Sequence, residues 1–431
     1  MMSENQTTLK ELLSEPNQIE DLQIPQSIVL DIIFRLLFNE GNVALARFVE
    51  VLKISNRIID NILAWMQKEH LVEVAKAIGE LGRLGYVYTL TEAGEERARG
   101  AFERSQYIGP VPVSIPAYNR GIELQTQQRR RVQASQVKEA LKGLILPDDF
   151  HRRIGPAINS GSSLFLYGPP GNGKTTVAQA ISNLISGTDP IWLPYAITAG
   201  GHIIQIHDRL IHHKVGTDTK KTSDLGRIDN RWALFRRPTV MVGGELKMEA
   251  LDLRYDPVAK IYEAPLQLKA NGGMFLIDDF GRQQIRPGDL LNRWIVPLEN
   301  QVDFLRLISG QSIVVPFKLL LVFSTNLDPY ELMDDAFLRR IQIKVELSSP
   351  DIKMFAQIFL LECKNQNIPF NREAFEYLLN KWYKQTNRVL QAVHPRDLLR
   401  TLKAICDYEG IPATMTPELL DQACKSYFVG Q

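Results

Sequence analysis

Apolar residues recur at helical spacing over residues 27–38, and Asn39-Glu40-Gly41-Asn42 interrupts them. A second short helix is expected over 43–52. A third starts near Ser55-Asn56 and runs through Ile59, Ile62, Leu63, Trp65 and Met66 to Leu71. Residues 85–90 alternate like a strand, and 91–102 return to helical spacing. Before all of this, residues 1–24 are polar and predict a flexible arm. After it, Gly109, Pro110, Pro112 and Pro116 mark 107–120 as a semi-rigid linker. Short apolar runs then alternate with helical patterns from 121 to 345, which predicts an α/β unit around a parallel sheet. Residues 346–431 are helical throughout, with helices expected over 352–363, 372–382, 396–408 and 417–427. The fold class is therefore multidomain α/β, with a smaller domain (25–106) before the sheet and a helical domain after it.

Within the α/β unit, residues 190–262 form an insertion longer than a plain crossover connection. Residues 191–208 read as a hairpin around Gly200-Gly201, and 239–253 as a strand, a Gly243-Gly244 turn and a further segment. The polar stretch 214–230 is expected to be a loop. His202, His207, His212 and His213 cluster here, but their spacing matches no closed zinc pattern, so they are read as hairpin-surface or interface histidines.

Composition narrows the class. A hydrophobic share of 45% with 23% charged residues excludes a disordered chain. Net charge is +1, so the whole chain carries no polyanion-binding signature. Cys363, Cys406 and Cys424 are too few for a disulfide framework and fit a reducing compartment. The opening residues are too polar for a signal peptide, and no apolar run reaches the roughly 18–20 residues that span a bilayer, so no membrane insertion is expected. The expected location is cytoplasmic.

The chemistry concentrates in two places. Residues 162–167 form an apolar run, followed at once by Gly168-Pro169-Pro170-Gly171-Asn172-Gly173-Lys174-Thr175 and a helical pattern opening with Thr176. This is a P-loop in the strand–loop–helix setting that the motif requires. Glycines let successive N–H groups turn toward phosphates, Lys174 reaches the β- and γ-phosphates, and the Thr175 hydroxyl binds Mg²⁺. The expected cofactors are ATP and Mg²⁺. Further along, the apolar run 274–277 ends in Asp278-Asp279. Asp278 suits a second Mg²⁺ contact, and Asp279 suits polarisation of the attacking water.

Both motifs resemble those of AAA+ ATPases. The resemblance covers about residues 135–425. In that family the second acid is usually glutamate. Asp279 is one methylene shorter, which implies a slow, switch-like ATPase. The run 318–326 resembles the sensor-1 strand, with Asn326 orienting the water. Asp334-Asp335-Ala336-Phe337-Leu338-Arg339-Arg340-Ile341 resembles the arginine-finger segment. Arg340 is favoured because an apolar residue follows it, with Arg339 as the alternative. A finger acting in trans implies a homo-oligomer, a hexameric ring or spiral. His394-Pro395-Arg396 resembles the start of the sensor-2 helix, with Arg396 contacting nucleotide. Residues 265–273 and a hairpin over 302–316 resemble AAA+ proteins carrying a presensor-1 β-hairpin, such as MoxR-type ATPases and magnesium chelatases. The resemblance implies remodelling or assembly of a client protein that the sequence does not identify. Tyr255 and Tyr262 of the insertion are candidates for gripping it.

The pattern over 27–105 resembles a winged-helix domain. Its recognition helix, about 55–70, carries only Arg57 and Lys68 against Asp60 and Glu69. Ten Lys/Arg over 27–105 are offset by eleven Asp/Glu. DNA binding needs clustered positive charge, so protein docking is preferred and DNA disfavoured. The denser run Arg129-Arg130-Arg131 falls at the start of the α/β core, as a solvated helix start or a contact to a neighbouring subunit. Two alternatives stay open: a DNA-acting motor or regulator working through the winged helix, and a nucleotide-gated assembly scaffold that hydrolyses slowly.

Overall fold

A computed structural model describes residues 8–77, 82–127, 131–161, 163–216, 227–332 and 335–428. Its organising element is a five-stranded parallel sheet in the spatial order Thr239–Val242, Met274–Ile277, Leu320–Thr325, Ser163–Tyr167 and Ile343–Glu346. The strands read as continuous apolar runs because both faces are covered. Phe165, Phe275, Ile277, Leu321 and Phe323 pack on one side. Leu164, Leu166, Met274, Leu276 and Val322 pack on the other, against helices Phe150–Ser160 and Lys174–Ser186. A parallel sheet aligns its strand C-termini, so the residues that follow 163–167, 274–277 and 320–325 meet along one edge.

The first of these strands in space corrects the expected insertion. Thr239–Val242 belongs to the main sheet, paired with Met274–Ile277, rather than to an excursion from it. Other parts of 190–262, with Val113–Ser114, build a second, mixed sheet in the order Arg254–Asp256, Ile261–Glu263, His202–Gln205, Ala196–Ala199 and Val113–Ser114, while Ile191–Pro194 pairs with Trp232–Phe235 in a separate ribbon. The hairpin about Gly200-Gly201 is there, across strands Ala196–Ala199 and His202–Gln205. Residues 217–226 of the expected loop 214–230 lie outside the described residues.

Strand Val113–Ser114 also corrects the expected linker. Residues 107–120 are built into the fold: Val111 and Val113 are buried, and helix Ile115–Gln127 begins inside the stretch. The prolines shape the entry, but the alternating valines decide its fate. The N-terminal arm departs from expectation in the same way. Leu13 is buried with Trp192, Trp232 and Leu234, and Leu22 joins the core of the following domain. The Glu15 amide donates to the Arg227 carbonyl at 3.0 Å. Buried Arg231 ties these pieces together, bonding Asp229 at 2.7 Å and the carbonyls of Leu22 and Pro112 at 3.2 Å each.

Helices Gln26–Glu40, Leu45–Leu52 and Asn56–Lys68 precede a ribbon of Val72–Ala77 with Tyr86–Leu90, and helix Glu92–Arg104 closes the unit. Val43–Ala44 adds a short third strand to that ribbon. This is the winged-helix-like order. The unit rests on the second sheet, since Ala196 and Ile203 belong to its core.

The helical domain contains Ile352–Gln366, Arg372–Leu378, His394–Glu409 and Pro417–Tyr427 around one core. Cys363, Cys406 and Cys424 are buried in that core as free thiols. A hairpin of Val302–Arg306 with Ser312–Pro316 stands between helix Pro287–Asn300 and strand Leu320–Thr325. Among the described residues no helix is long and apolar enough to cross a membrane. Arg129 and Arg130 lie outside the described residues.

Candidate functional site

Strand Ser163–Tyr167 delivers the chain to the glycine-rich loop. Gly168 adopts φ +134° against the Leu347 carbonyl, where a side chain has no room. Gly173 adopts φ +84° and opens helix Lys174–Ser186. The Lys174 ammonium donates to the carbonyls of Gly168 and Pro169, each at 2.9 Å. Burial pulls its pKa below the usual lysine value, opposed by the nearby carboxylates of Asp278 and Asp279. The Thr175 hydroxyl donates to Asp278 Oδ2 at 2.7 Å, joining the loop's helix to the acidic strand end.

The acidic turn is fastened from three sides. The Phe280 amide donates to the Ser324 carbonyl at 2.7 Å, and the Thr325 hydroxyl to the Phe280 carbonyl at 2.6 Å. Gln283 donates to the carbonyls of Asp278 and Asp279 at 2.9 and 3.1 Å. Asp279 itself sits at φ +49°, in the left-handed region. Aspartate tolerates that region better than most residues, because its short polar side chain can bond locally. A backbone reason for aspartate at this position therefore exists in the fold. Asn326 follows strand Leu320–Thr325, and its Oδ1 is buried without a partner among the described residues.

These elements enclose a cleft of about 370 Å³. Pro170, Gly171, Asn172, Gly173, Lys174, Thr175 and Thr176 line it, as do Asp278, Asp279, Asn326 and Arg396. Gly168 and Pro169 lie behind Lys174 and hold it. Arg396 enters from the helical domain, with its Nε on Asp397 at 2.9 Å. Arg339 and Arg340 do not line this cleft. Arg340 Nε pairs with Glu299 at 2.7 Å, whereas Arg339 is exposed and makes no hydrogen bond or ion pair among the described residues. Sequence reasoning missed one wall of the cleft, formed by residues 143–146 with Ile358, Leu361 and Val393. The apolar triplet Leu144-Ile145-Leu146 before Pro147 was the available signal.

Two expectations for the insertion are corrected. Tyr262 is buried, and its hydroxyl accepts from the Ile308 amide at 2.8 Å, so it cannot grip a partner; the Tyr255 ring packs against it at a tilt, with ring centres 5.0 Å apart. His212 is a core residue rather than a surface one, with Nδ1 accepting from the Asp208 amide and Nε2 3.0 Å from the Lys269 carbonyl.

The helical segment 351–426 matches a family model described as "Domain of unknown function (DUF8689)". The chain is 26% identical over 174 residues to an "AAA ATPase forming ring-shaped complexes" of Corynebacterium jeikeium, covering 37% of this chain and 31% of that protein. It is 25% identical over 251 residues to a 26S proteasome regulatory subunit 4 homolog of Dictyostelium discoideum, covering 58% and 44%. The chain thus spans less than half the length of these relatives. Among solved structures, a RuvB mutant from Thermotoga maritima aligns with TM-score 0.39 and 14% identity, over 68% of this chain and 73% of that one. NtrX from Brucella abortus in complex with ADP aligns with TM-score 0.41 and 14% identity, over 79% and 68%. A glycine-rich loop, an acidic strand end and a helical domain facing one cleft define a P-loop nucleotide-binding class. An AAA ATPase and a proteasome regulatory subunit homolog are relatives that the chain resembles in sequence.

Burial pushes the pKa of His212 down to about 4, and that of His394 in the helical domain likewise. A depressed histidine binds its proton in the unfolded chain first, so stability falls as pH drops from 6.5 toward 4. Each histidine contributes up to about 3 kcal/mol over that window. Urea denaturation at stepped pH should show the loss, and His212→Gln should flatten the profile; an unchanged midpoint from pH 7 to 4.5 contradicts it.

Proposed function

We propose that the chain binds Mg²⁺-ATP in this cleft and hydrolyses it to remodel or assemble a partner protein, as a ring or spiral of identical subunits. The bond between Thr175 and Asp278 is the observation that carries the reading. It brings two oxygen donors from separate elements to one point, beside a buried ammonium at a helix N-terminus. Hard oxygen donors of this kind suit Mg²⁺, and the unpartnered Asn326 Oδ1 marks a polar place left for a ligand in the same cleft. The residues present therefore fit the group. Thr175 and Asp278 would hold the ion, residues 168–176 the phosphates, and Arg396 the nucleotide from the helical side. The ion would neutralise charge on the transferring phosphate. Asp279 and Asn326 then orient and polarise the attacking water, and Arg340 or Arg339 reaches a neighbour's cleft.

Ring-shaped assembly is what one relative's name describes, and it supports the oligomeric part of the reading. The hairpin of Val302–Arg306 and Ser312–Pro316 supports the presensor-1 subgroup. The winged-helix-like unit, 25–106, serves protein docking, since its charges balance. The helical domain, 346–431, serves as the lid, and 121–345 as the nucleotide domain. The chain is expected in the cytoplasm.

Two measurements test this. Asp279→Asn keeps the left-handed backbone and should change nucleotide affinity by less than about threefold while lowering hydrolysis about a hundredfold or more. Unchanged turnover would remove Asp279 from the chemistry. Wild-type turnover as brisk as a fast AAA+ motor would separately contradict the slow, scaffold-like variant of the reading. For the finger, Arg340→Ala and Arg339→Ala should be compared by ATP turnover and mass photometry. One of them should assemble with ATP yet hydrolyse roughly a thousandfold more slowly. If neither loses activity, catalysis is not shared between subunits.

A further inference from the structure

Asn172 is a polar side chain in a loop otherwise made of glycine, proline and the phosphate-facing pair Lys174 and Thr175. Its relative exposure is 6%. A side chain there could face solvent at no cost, so its burial needs a reason. The reason is a pair of hydrogen bonds to two separate segments of the helical domain. Oδ1 accepts from the Ala392 amide at 3.1 Å, and Nδ2 donates to Ser349 Oγ at 3.3 Å. The orientation of the amide follows from chemistry. The Ala392 N–H can only donate, so Oδ1 must face it, which turns Nδ2 toward the serine hydroxyl. Ser349 lies on the segment that leaves the main sheet just before helix Ile352–Gln366. Ala392 lies two residues before helix His394–Glu409, which carries Arg396 into the cleft.

The loop backbone makes the same connection beside it. The Val393 amide donates to the Gly171 carbonyl at 2.8 Å. A Cβ on Gly171 would meet Val393 Cγ1 at 2.8 Å and Gln391 Oε1 at 2.9 Å. The loop that wraps the phosphates is thus in direct contact with both the entry and the last-helix-pair junction of the helical domain. Among the described residues, no other residue of the loop has a side chain bonded to that domain.

We infer that Asn172 is a positioning residue that couples the conformation of the phosphate loop to the placement of residues 391–396, and so sets how Arg396 meets a bound nucleotide. The inference rests on the Mg²⁺-nucleotide reading of the cleft. Asn172 needs no contact with the reacting atoms to do this. When the loop tightens on phosphate, the side chain carries the shift to Ser349 and Ala392 together, because one planar amide holds both. A serine or alanine at this position could hold at most one of them. Coupling of this kind is reciprocal: if nucleotide orders 391–396, ordering 391–396 strengthens nucleotide binding.

Amide hydrogen exchange on the full chain, with and without saturating Mg²⁺-ADP, tests it without requiring hydrolysis. In the wild type, nucleotide should slow exchange over 391–399. In Asn172→Ala, measured at Mg²⁺-ADP concentrations that saturate the variant, the added protection over 391–399 should fall by at least about half. Ser349→Ala removes the donor's partner from outside the loop. It should reproduce part of that loss, and it carries the test alone if Asn172→Ala does not fold. If the variants bind Mg²⁺-ADP and 391–399 are protected as in the wild type, the coupling role is overturned while the functional reading stands. Loss of protection spread evenly over the chain also overturns it, because that marks a merely structural side chain. If the wild type binds no Mg²⁺-ADP, the functional reading falls first and this inference with it.

Discussion

A hydroxyl on one helix and a carboxylate on one strand end meet at 2.7 Å, and much of the molecule is arranged so that Thr175 and Asp278 can do so. The contact requires that strands Ser163–Tyr167 and Met274–Ile277 run in the same direction with Leu320–Thr325 between them, so that all three end at one edge. It requires a tight loop after the first strand, which Gly168 and Gly173 provide at positive φ. It also requires an acidic turn that cannot drift. Phe280, Thr325 and Gln283 fasten that turn through the backbone. Burial on both sheet faces makes the scaffold rigid; the polar groups sit only where strands end.

Around this centre the remaining parts are joined more closely than a string of domains would be. The N-terminal segment, the stretch 107–120 and the insertion share one buried cluster and one buried ion pair, Arg231 with Asp229. Such a pair is a weak source of net stability, but removing one member strands the other charge. It therefore fixes which segments meet there. The winged-helix-like unit is seated on the second sheet through its own core, which takes in Ala196 and Ile203.

Local structure was legible in the sequence, and distant contacts were not. The P-loop was readable because strand, loop and helix are consecutive, and Asp278-Asp279 because an apolar run delivers them. The helical domain could be read nearly element by element from spacing alone. Linker and arm were misread because prolines and polar residues dominate their composition, while a few residues, Leu13, Val111 and Val113, decide their packing. Thr239–Val242 was assigned to the insertion because four residues cannot announce which sheet they join. Tyr262 read as an available aromatic, yet its hydroxyl is taken by Ile308. The left-handed backbone at Asp279 and the reach of Asn172 to Ala392, 220 residues away, have no sequence signature at all.

The central claim is that loop and acidic strand together hold a metal-bound nucleotide. Equilibrium binding of fluorescent ATP to the full chain, in Mg²⁺ and in EDTA, tests it most directly, with Thr175→Val as the comparison. Wild type should bind at least about tenfold more tightly with Mg²⁺, and Thr175→Val should lose most of that difference while staying folded. Equal affinity with and without the metal, or metal dependence that survives in Thr175→Val, would contradict the account.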